Sequence, residues 1–257
     1  MLKYKCDNLN AGWFIKNCHT PVNNIQASGI FIGRDKMSII NDRIRMQCCI
    51  LCGNNKVLEI HPKNDRRHYF WCQACQLIFA GKQYYPSYED EKARYDLHGY
   101  NAGQSGHMAF LEQILNPMMG YIKSGMNGLD YGCGPKPVVS EWLEKKGIQC
   151  DNYDPFYDFK CSSDPYDFIV STEVVEHFRK PLEEWNKVAG LLKPGGFLMI
   201  MTERWRCIEE FESWHYKTDA THVCFYHLET FSYIGKQYGL KLEEHDEKRV
   251  VIMRKEK

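Results

Sequence analysis

At 257 residues and 30.2 kDa, with 33 Lys+Arg against 33 Asp+Glu, the chain is long enough to bury a sizeable core and carries no formal net charge. A composition of 44% hydrophobic and 26% charged residues excludes a disordered or fibrous protein, and the charge balance excludes one that coats nucleic acid through bulk charge. No apolar run approaches the ~18–20 residues that span a bilayer. The opening MLKYKCDNLNAGWFIKNC also lacks the apolar stretch and small-residue cleavage site of a secretory leader. No membrane partner is therefore expected.

Four or five of the twelve cysteines cluster between Cys48 and Cys75, and the rest are scattered. One tight cluster among scattered thiols points to a reducing compartment and a metal site rather than a disulfide scaffold, so a cytoplasmic location is expected.

Three zones follow along the chain. Residues 1–42 show neither helical nor strand periodicity and read as an irregular extension without assigned function. Met37 lies close enough to the first organised motif to be an alternative start, and a genuine weakly ordered extension is the other reading. Residues 43–82 hold the cysteine pairs and carry a local net charge of +5. Residues 83–257 alternate short apolar strands with helical patterns, the signature of a parallel α/β sheet. Within them, 83–105 reads as a linker or cofactor cover.

Cys49-Ile-Leu-Cys52 and Cys72-Gln-Ala-Cys75 are two C-x-x-C steps. Each can form a tight turn aiming two sulfurs at one point, and two such turns complete a tetrahedron around zinc. Cys48 is read as a spare. Between the pairs, Lys56–Ile60 and His68–Trp71 alternate well enough for a small hairpin, which metal would have to stabilise. The segment resembles a zinc ribbon. Two roles stay open for it: a structural clip, or a basic module for RNA using Lys63, Arg66 and Arg67.

Further on, Leu129-Asp130-Tyr131-Gly132-Cys133-Gly134 reads as a strand ending in an acid and a glycine turn, with a helix around Val138–Lys146. Glycines at 132 and 134 let the backbone approach a ligand closely. Asp154 follows 24 positions beyond Asp130, where a carboxylate at the end of a second strand can accept ribose hydroxyls. Tyr166–Glu173 reads as a buried strand running into a helix at Val174–Phe178. Leu191–Gly196 reads as a helix end and turn, and Phe197–Thr202 as the next strand. Helices are expected at Met108–Ile122 and Leu228–Tyr238, and a closing hairpin from Leu240–Glu244 and Arg249–Met253.

On these residues, together with Leu192-Lys-Pro-Gly-Gly196, the chain from roughly 106 to 257 resembles the class I S-adenosylmethionine-dependent methyltransferases. More narrowly, with Trp214-His-Tyr216 and Thr221-His222, it is similar to ribbon-bearing bacterial members of undefined substrate. The resemblance implies a Rossmann-like seven-stranded sheet with an antiparallel last strand. It also implies S-adenosylmethionine held by Gly132, Cys133, Gly134 and Asp154, with Asp130 orienting the loop or meeting the amino group and Glu173 nearby. Two departures stand out. Only 13 positions separate Asp154 from Asp167, too few for the usual helix and third strand, which leaves Phe156 or Tyr157 to stack on the base. Pro135 and Pro137 stiffen the loop where relatives have another glycine. A dinucleotide-binding domain is the competing reading of the glycine turn.

Methyl transfer needs an acceptor lone pair in line with the methyl and a place for one proton. Glu173, Glu176 and His177 are expected on one face at a helix start, with His222 from a later loop, as the catalytic candidates. The set is similar to the E-x-x-E-H residues that hold a divalent metal in small-RNA and ubiquinone-pathway O-methyltransferases. The same Glu-His pair also occurs in relatives that use no metal, and both readings stand. In the Trp214–Tyr226 stretch, Phe225 is expected in the core, with His222 and His215 facing the cleft. The expected activity is methyl transfer to an oxygen or nitrogen of a small molecule, or of RNA through the ribbon. A noncatalytic ribbon adaptor on the same scaffold is the alternative.

Overall fold

The computed structural model describes residues 47–63, 65–99 and 105–257. The expectations for residues 1–42, Met37 included, lie outside them. In chain order the elements are β1 (Val57–Ile60), β2 (Tyr69–Cys72), β3 (Ile78–Ala80), α1 (Tyr88–Gly99), α2 (Ser105–Met118), β4 (Asn127–Tyr131), α3 (Val138–Glu144) and β5 (Gln149–Tyr153). There follow β6 (Tyr166–Thr172), α4 (Pro181–Gly190), β7 (Leu192–Met201), α5 (Ile208–Phe211), β8 (Cys224–Phe225), α6 (Leu228–Tyr238), β9 (Leu240–His245) and β10 (Val250–Lys255).

The larger sheet has the order β5-β4-β6-β7-β10-β9. Strands β5, β4, β6 and β7 are parallel, and β10 runs antiparallel to both neighbours. Phe168, Ile169 and Val170 of β6 are wholly buried because helices cover both faces, as a parallel sheet requires. On one side, Leu111, Ile114, Leu115 and Met118 of α2 pack with Phe168, Val170 and Met199. On the other, Trp185 and Val188 of α4 and Phe231 and Ile234 of α6 pack with Leu129, Ile169 and Ile200.

Two expectations need correction. Among the described residues the sheet has six strands, not seven. The short segment after Asp154 folds as a turn pinned by the Asp154–Phe159 bridge and by Tyr166 Oη donating to Asp151 at 2.7 Å, which leaves β5 as the edge. A crossover helix and a strand would not fit in that length. The Lys-Pro-Gly-Gly stretch is a bulge inside β7 rather than a turn before it. Pairing jumps from Tyr166–Leu192 to Phe168–Phe197, so the strand resumes beyond the glycines. Smaller shifts occur at helix ends: α2 begins at Ser105 and stops at Met118, and α3 ends at Glu144.

The smaller sheet has the order β1-β2-β3-β8, antiparallel throughout. Its fourth strand comes from residues 224–225, over 140 positions downstream of β3. Leu51, Phe70, Leu77 and Phe79 share one apolar cluster with Trp185, Tyr226 and Phe231, so this sheet is built into the larger core. No helix among the described residues is long and apolar enough to cross a membrane.

Candidate cofactor and acceptor cleft

At one end of the β1–β2 hairpin the four cysteines converge. Cys49 and Cys75 sulfurs lie 3.6 Å apart, Cys52 and Cys72 sulfurs 3.5 Å, and all four within 4.8 Å of one another. Tetrahedral zinc with sulfur bonds of about 2.3 Å sets sulfur–sulfur edges of about 3.8 Å, so the donor set fits that ion. The two turns are alike. Gly53 N–H donates to Cys49 O at 3.0 Å and Gln76 N–H to Cys72 O at 2.9 Å, each from a residue at positive φ. Gly53 adopts that conformation freely. Gln76 is held there by hydrogen bonds from the Trp71 and Trp205 indoles. Cys48 is exposed and outside the cluster.

The second site opens at the carboxyl ends of β4 and β6, where the strand order reverses and α/β sheets place their ligands. It is a cleft of about 690 Å³. Asp130, Gly132, Cys133, Gly134, Asp154, Phe156, Glu173, His177 and His222 all line it, so the sequence candidates from distant segments meet in one place. Glu176 lies behind, fully buried.

Gly132 and Gly134 have φ of +88° and +67°. A Cβ on Gly132 would stand 2.4 Å from a methyl of Val174, so that position admits glycine alone on two grounds. Asp154 ties the loop together: Gly134 N–H donates to its Oδ2 at 2.9 Å and Phe156 N–H to its Oδ1 at 2.8 Å. Each oxygen retains a lone pair for a ligand hydroxyl. Asp130 is buried and its Oδ1 has no protein partner. A buried carboxylate left so calls for a cationic or donor ligand. Phe156 stacks on Tyr88 at 4.6 Å, and Tyr95 meets it edge-on at 5.0 Å.

Burial, with the Asp154 charge second, pushes Asp130 up to about 7. Such a group contributes stability that is complete below its unfolded value near 4 and lost as pH rises through 7. Asp130→Asn is accordingly expected to exceed the wild type by about 2–4 kcal/mol at pH 8, the gap closing towards pH 4. Denaturant melts across that range check it; a gap independent of pH would contradict the assignment.

Helix α1 lines one side of the cleft through Tyr88, Glu91 and Tyr95. Arg179 joins it through Glu91, and Arg94 pairs with Asp219 at 2.9 Å. Tyr157 donates to Asp96 at 2.7 Å, and Tyr95 and His177 rings lie 5.2 Å apart. The side chain of His98 lies outside the description.

The Glu-x-x-Glu-His stretch departs from the expected helix face. Val175–His177 is a single 3-10 turn, and Glu173 precedes it at φ +55°. Glu173 pairs with Arg249 at 3.1 Å and accepts from Tyr216 Oη at 3.1 Å. Glu176 accepts from the same Tyr216 hydroxyl and from Thr202 at 2.9 Å. Burial drives both carboxyls well above the usual carboxylate range. His177 turns the other way, towards His222, with ring centroids 4.8 Å apart. Ligand-type atoms of Glu176, His177 and His222 lie within 4.8 Å of one another; Glu173 stands outside that group.

Hydrogen bonds fix both tautomers. His177 Nδ1 faces Thr221 O at 2.9 Å and His222 Nδ1 faces Tyr216 O at 2.7 Å. A carbonyl only accepts, so both Nδ1 atoms carry the proton, and in the neutral ring Nε2 is left as an acceptor. Burial holds His177 below the ordinary range and lowers His222 to about 3. These are neutral acceptors rather than strong bases. His215 is not among the cleft-lining residues; it lies 3.7 Å from Glu203, and Phe225 is core as expected. Tyr216, Thr202 and Arg249, which hold the two glutamates, could not be found from motif spacing.

A Rossmann-like sheet with a glycine loop and acids at the switch point is common to dinucleotide-binding and class I methyltransferase folds, and the family match decides between them. The family model described as a methyltransferase domain matches residues 104–245, more than half of the chain, and the chain belongs to that family. No curated protein sequence matches it. Among solved structures it is similar to an O-methyltransferase family protein from Burkholderia thailandensis, at 15% identity over 59% of this chain and 58% of that one, with a TM-score of 0.47. A SAM-dependent methyltransferase from Archaeoglobus fulgidus is similar at 16% identity, over 58% and 99% of the two chains, with a TM-score of 0.43. Phosphoethanolamine N-methyltransferase 2 from Haemonchus contortus, solved with S-adenosyl-L-methionine, is similar at 18% identity, over 55% and 38%, with a TM-score of 0.40.

Proposed function

We propose that the protein methylates an oxygen or nitrogen of a small-molecule acceptor held between α1 and the His177–His222 pair. The observation that carries this reading is the pair of neutral imidazoles, each fixed through Nδ1, lining the same cleft as the Gly132–Asp154 loop. S-adenosylmethionine, when bound, supplies an electrophilic methyl on a sulfonium. The backbone of Gly132, Cys133 and Gly134 would admit it closely, Asp154 would accept the ribose hydroxyls, and Asp130 would meet the amino group. Phe156 would border the base, and Glu173 would lie beside the bound cofactor.

His177 and His222 then accept the hydrogen of an O–H or N–H and aim the acceptor's lone pair. Held by hydrogen bonds rather than by a strong base, the acceptor keeps its proton until the methyl has transferred, and the protonated product then releases it to solvent water. Helix α1 excludes water from this end of the cleft.

Cys49, Cys52, Cys72 and Cys75 would hold a structural zinc. Arg67 is committed to Asp65 and to Asp219 O, which leaves Lys63 and Arg66 as the exposed bases of the 63–67 stretch and favours a small molecule over RNA. A second reading rests on the convergence of Glu176, His177 and His222: a divalent metal there would hold the acceptor oxygen.

Transfer of labelled methyl into fractionated cell extract tests the proposal. His222→Ala is expected to lower kcat about 100-fold with cofactor affinity unchanged. A wild-type rate in both His222→Ala and His177→Ala would overturn the acceptor site. Activity that survives chelation with the thiolate zinc retained would eliminate the second reading.

A further inference from the structure

The β1–β2 hairpin carries a second group of ligand-type side chains, at the end away from the cysteines. The register pairs Val57 with Cys72 at one end and Ile60 with Tyr69 at the other, so one step further sets His61 opposite His68. Glu59, two residues before His61, falls on the same side of its strand. All three meet. Glu59 Oε1 lies 2.9 Å from His68 Nδ1 and 3.5 Å from His61 Nε2, and the three ligand atoms lie within 4.8 Å of one another. The imidazoles cross edge to face at 4.2 Å, with the Tyr84 ring 5.6 Å from His68.

We propose that Glu59, His61 and His68 form a second divalent transition-metal site, distinct from the four-cysteine cluster and from the methyltransferase cleft. Tetrahedral zinc with nitrogen and oxygen bonds of about 2.0–2.1 Å sets ligand–ligand edges of about 3.3 Å, and the two distances to Glu59 bracket that value. The carboxylate is only 7% exposed, whereas the imidazoles are 29% and 37% exposed. The buried anion therefore sits at the base and the open fourth position faces solvent. Two imidazoles and one carboxylate suit zinc, cobalt, nickel or copper, and not magnesium or calcium, which take oxygen donors.

Four residues of strand separate this end of the hairpin from the cysteine end, about 13 Å. The hairpin is thus fastened at both ends: by thiolates inside the core, and by a mixed, solvent-reached set at the rim. The rim site binds more weakly, because its ligands are fewer and its two imidazoles are partly exposed.

Cobalt titration of the full-length protein tests this. Cobalt on four thiolates gives an intense sulfur-to-metal charge-transfer band, whereas cobalt on the rim set gives only weak visible bands. The two sites are therefore read separately, and a missing thiolate band counts against the cysteine site alone. The expected result is one further equivalent of cobalt in the wild type, absent from His61→Ala, His68→Ala and Glu59→Gln, each of which keeps the thiolate band. A wild type that binds no metal beyond the thiolate site would overturn the proposal. So would variants that bind as much as the wild type. A variant that loses the thiolate band has misfolded, and the wild-type titration and the isosteric Glu59→Gln then decide.

Discussion

Cys72→Ser is expected to unfold the protein's smaller sheet and, with it, much of the larger core. Cys49, Cys72 and Cys75 are at most 3% exposed, and they belong to the same apolar cluster as Leu129, Trp185 and Phe231. Zinc binding is coupled to folding wherever the site does not exist in the unfolded chain, and in small zinc domains it supplies on the order of 10 kcal/mol. Part of that is retained by packing here, since β3 is paired with β8 and Phe79 and Phe225 are buried regardless. A loss of about 5 kcal/mol is therefore expected, comparable to the whole stability of many domains. Thermal melts of the variant, and of wild type treated with a strong chelator, should coincide. Melts unchanged from untreated wild type would show that the four sulfurs are merely packed thiols.

Gly132→Ala is the second large effect. Alanine at φ +88° is strained, and the added methyl would stand 2.4 Å from Val174, whose branched side chain has little rotamer freedom. Together these should cost about 3–4 kcal/mol and displace the loop from the ligand. Gly134→Ala provides the control: its φ is +67° but nothing lies within 4 Å of the added atom, so only about 1 kcal/mol of backbone strain is expected. The double variant Gly132→Ala, Val174→Ala should recover the steric part. If Gly132→Ala and Gly134→Ala cost the same, close packing of Val174 against the loop is not what fixes Gly132.

The glycine loop was legible because its requirements are local. A turn at positive φ demands glycine at 132 and 134, and an acid at the end of the next strand falls at Asp154 by simple counting. The two C-x-x-C turns were legible for the same reason. What escaped was set by distant partners. Strand β8 is two residues long and has no periodicity of its own; it exists because β3 presents an open edge. Glu173 leaves the expected helical face because Arg249, 76 positions away, pulls on one oxygen while Tyr216 holds the other. The Lys-Pro-Gly-Gly stretch looks like a turn in isolation and becomes a bulge because parallel pairing resumes at Phe197. Glu59, His61 and His68 escaped because only the hairpin register sets His68 opposite His61, on the side of the strand that carries Glu59.

Calorimetric titration of the folded protein with S-adenosylmethionine bears most directly on the cleft. One molecule should bind per chain, and Asp154→Ala should weaken it by about 1–3 kcal/mol, roughly 5- to 150-fold, through lost hydrogen bonds to a charged group and a loosened Gly134. No heat of binding in folded protein, or an affinity that Asp154→Ala leaves untouched, would contradict the placement of the cofactor on this loop.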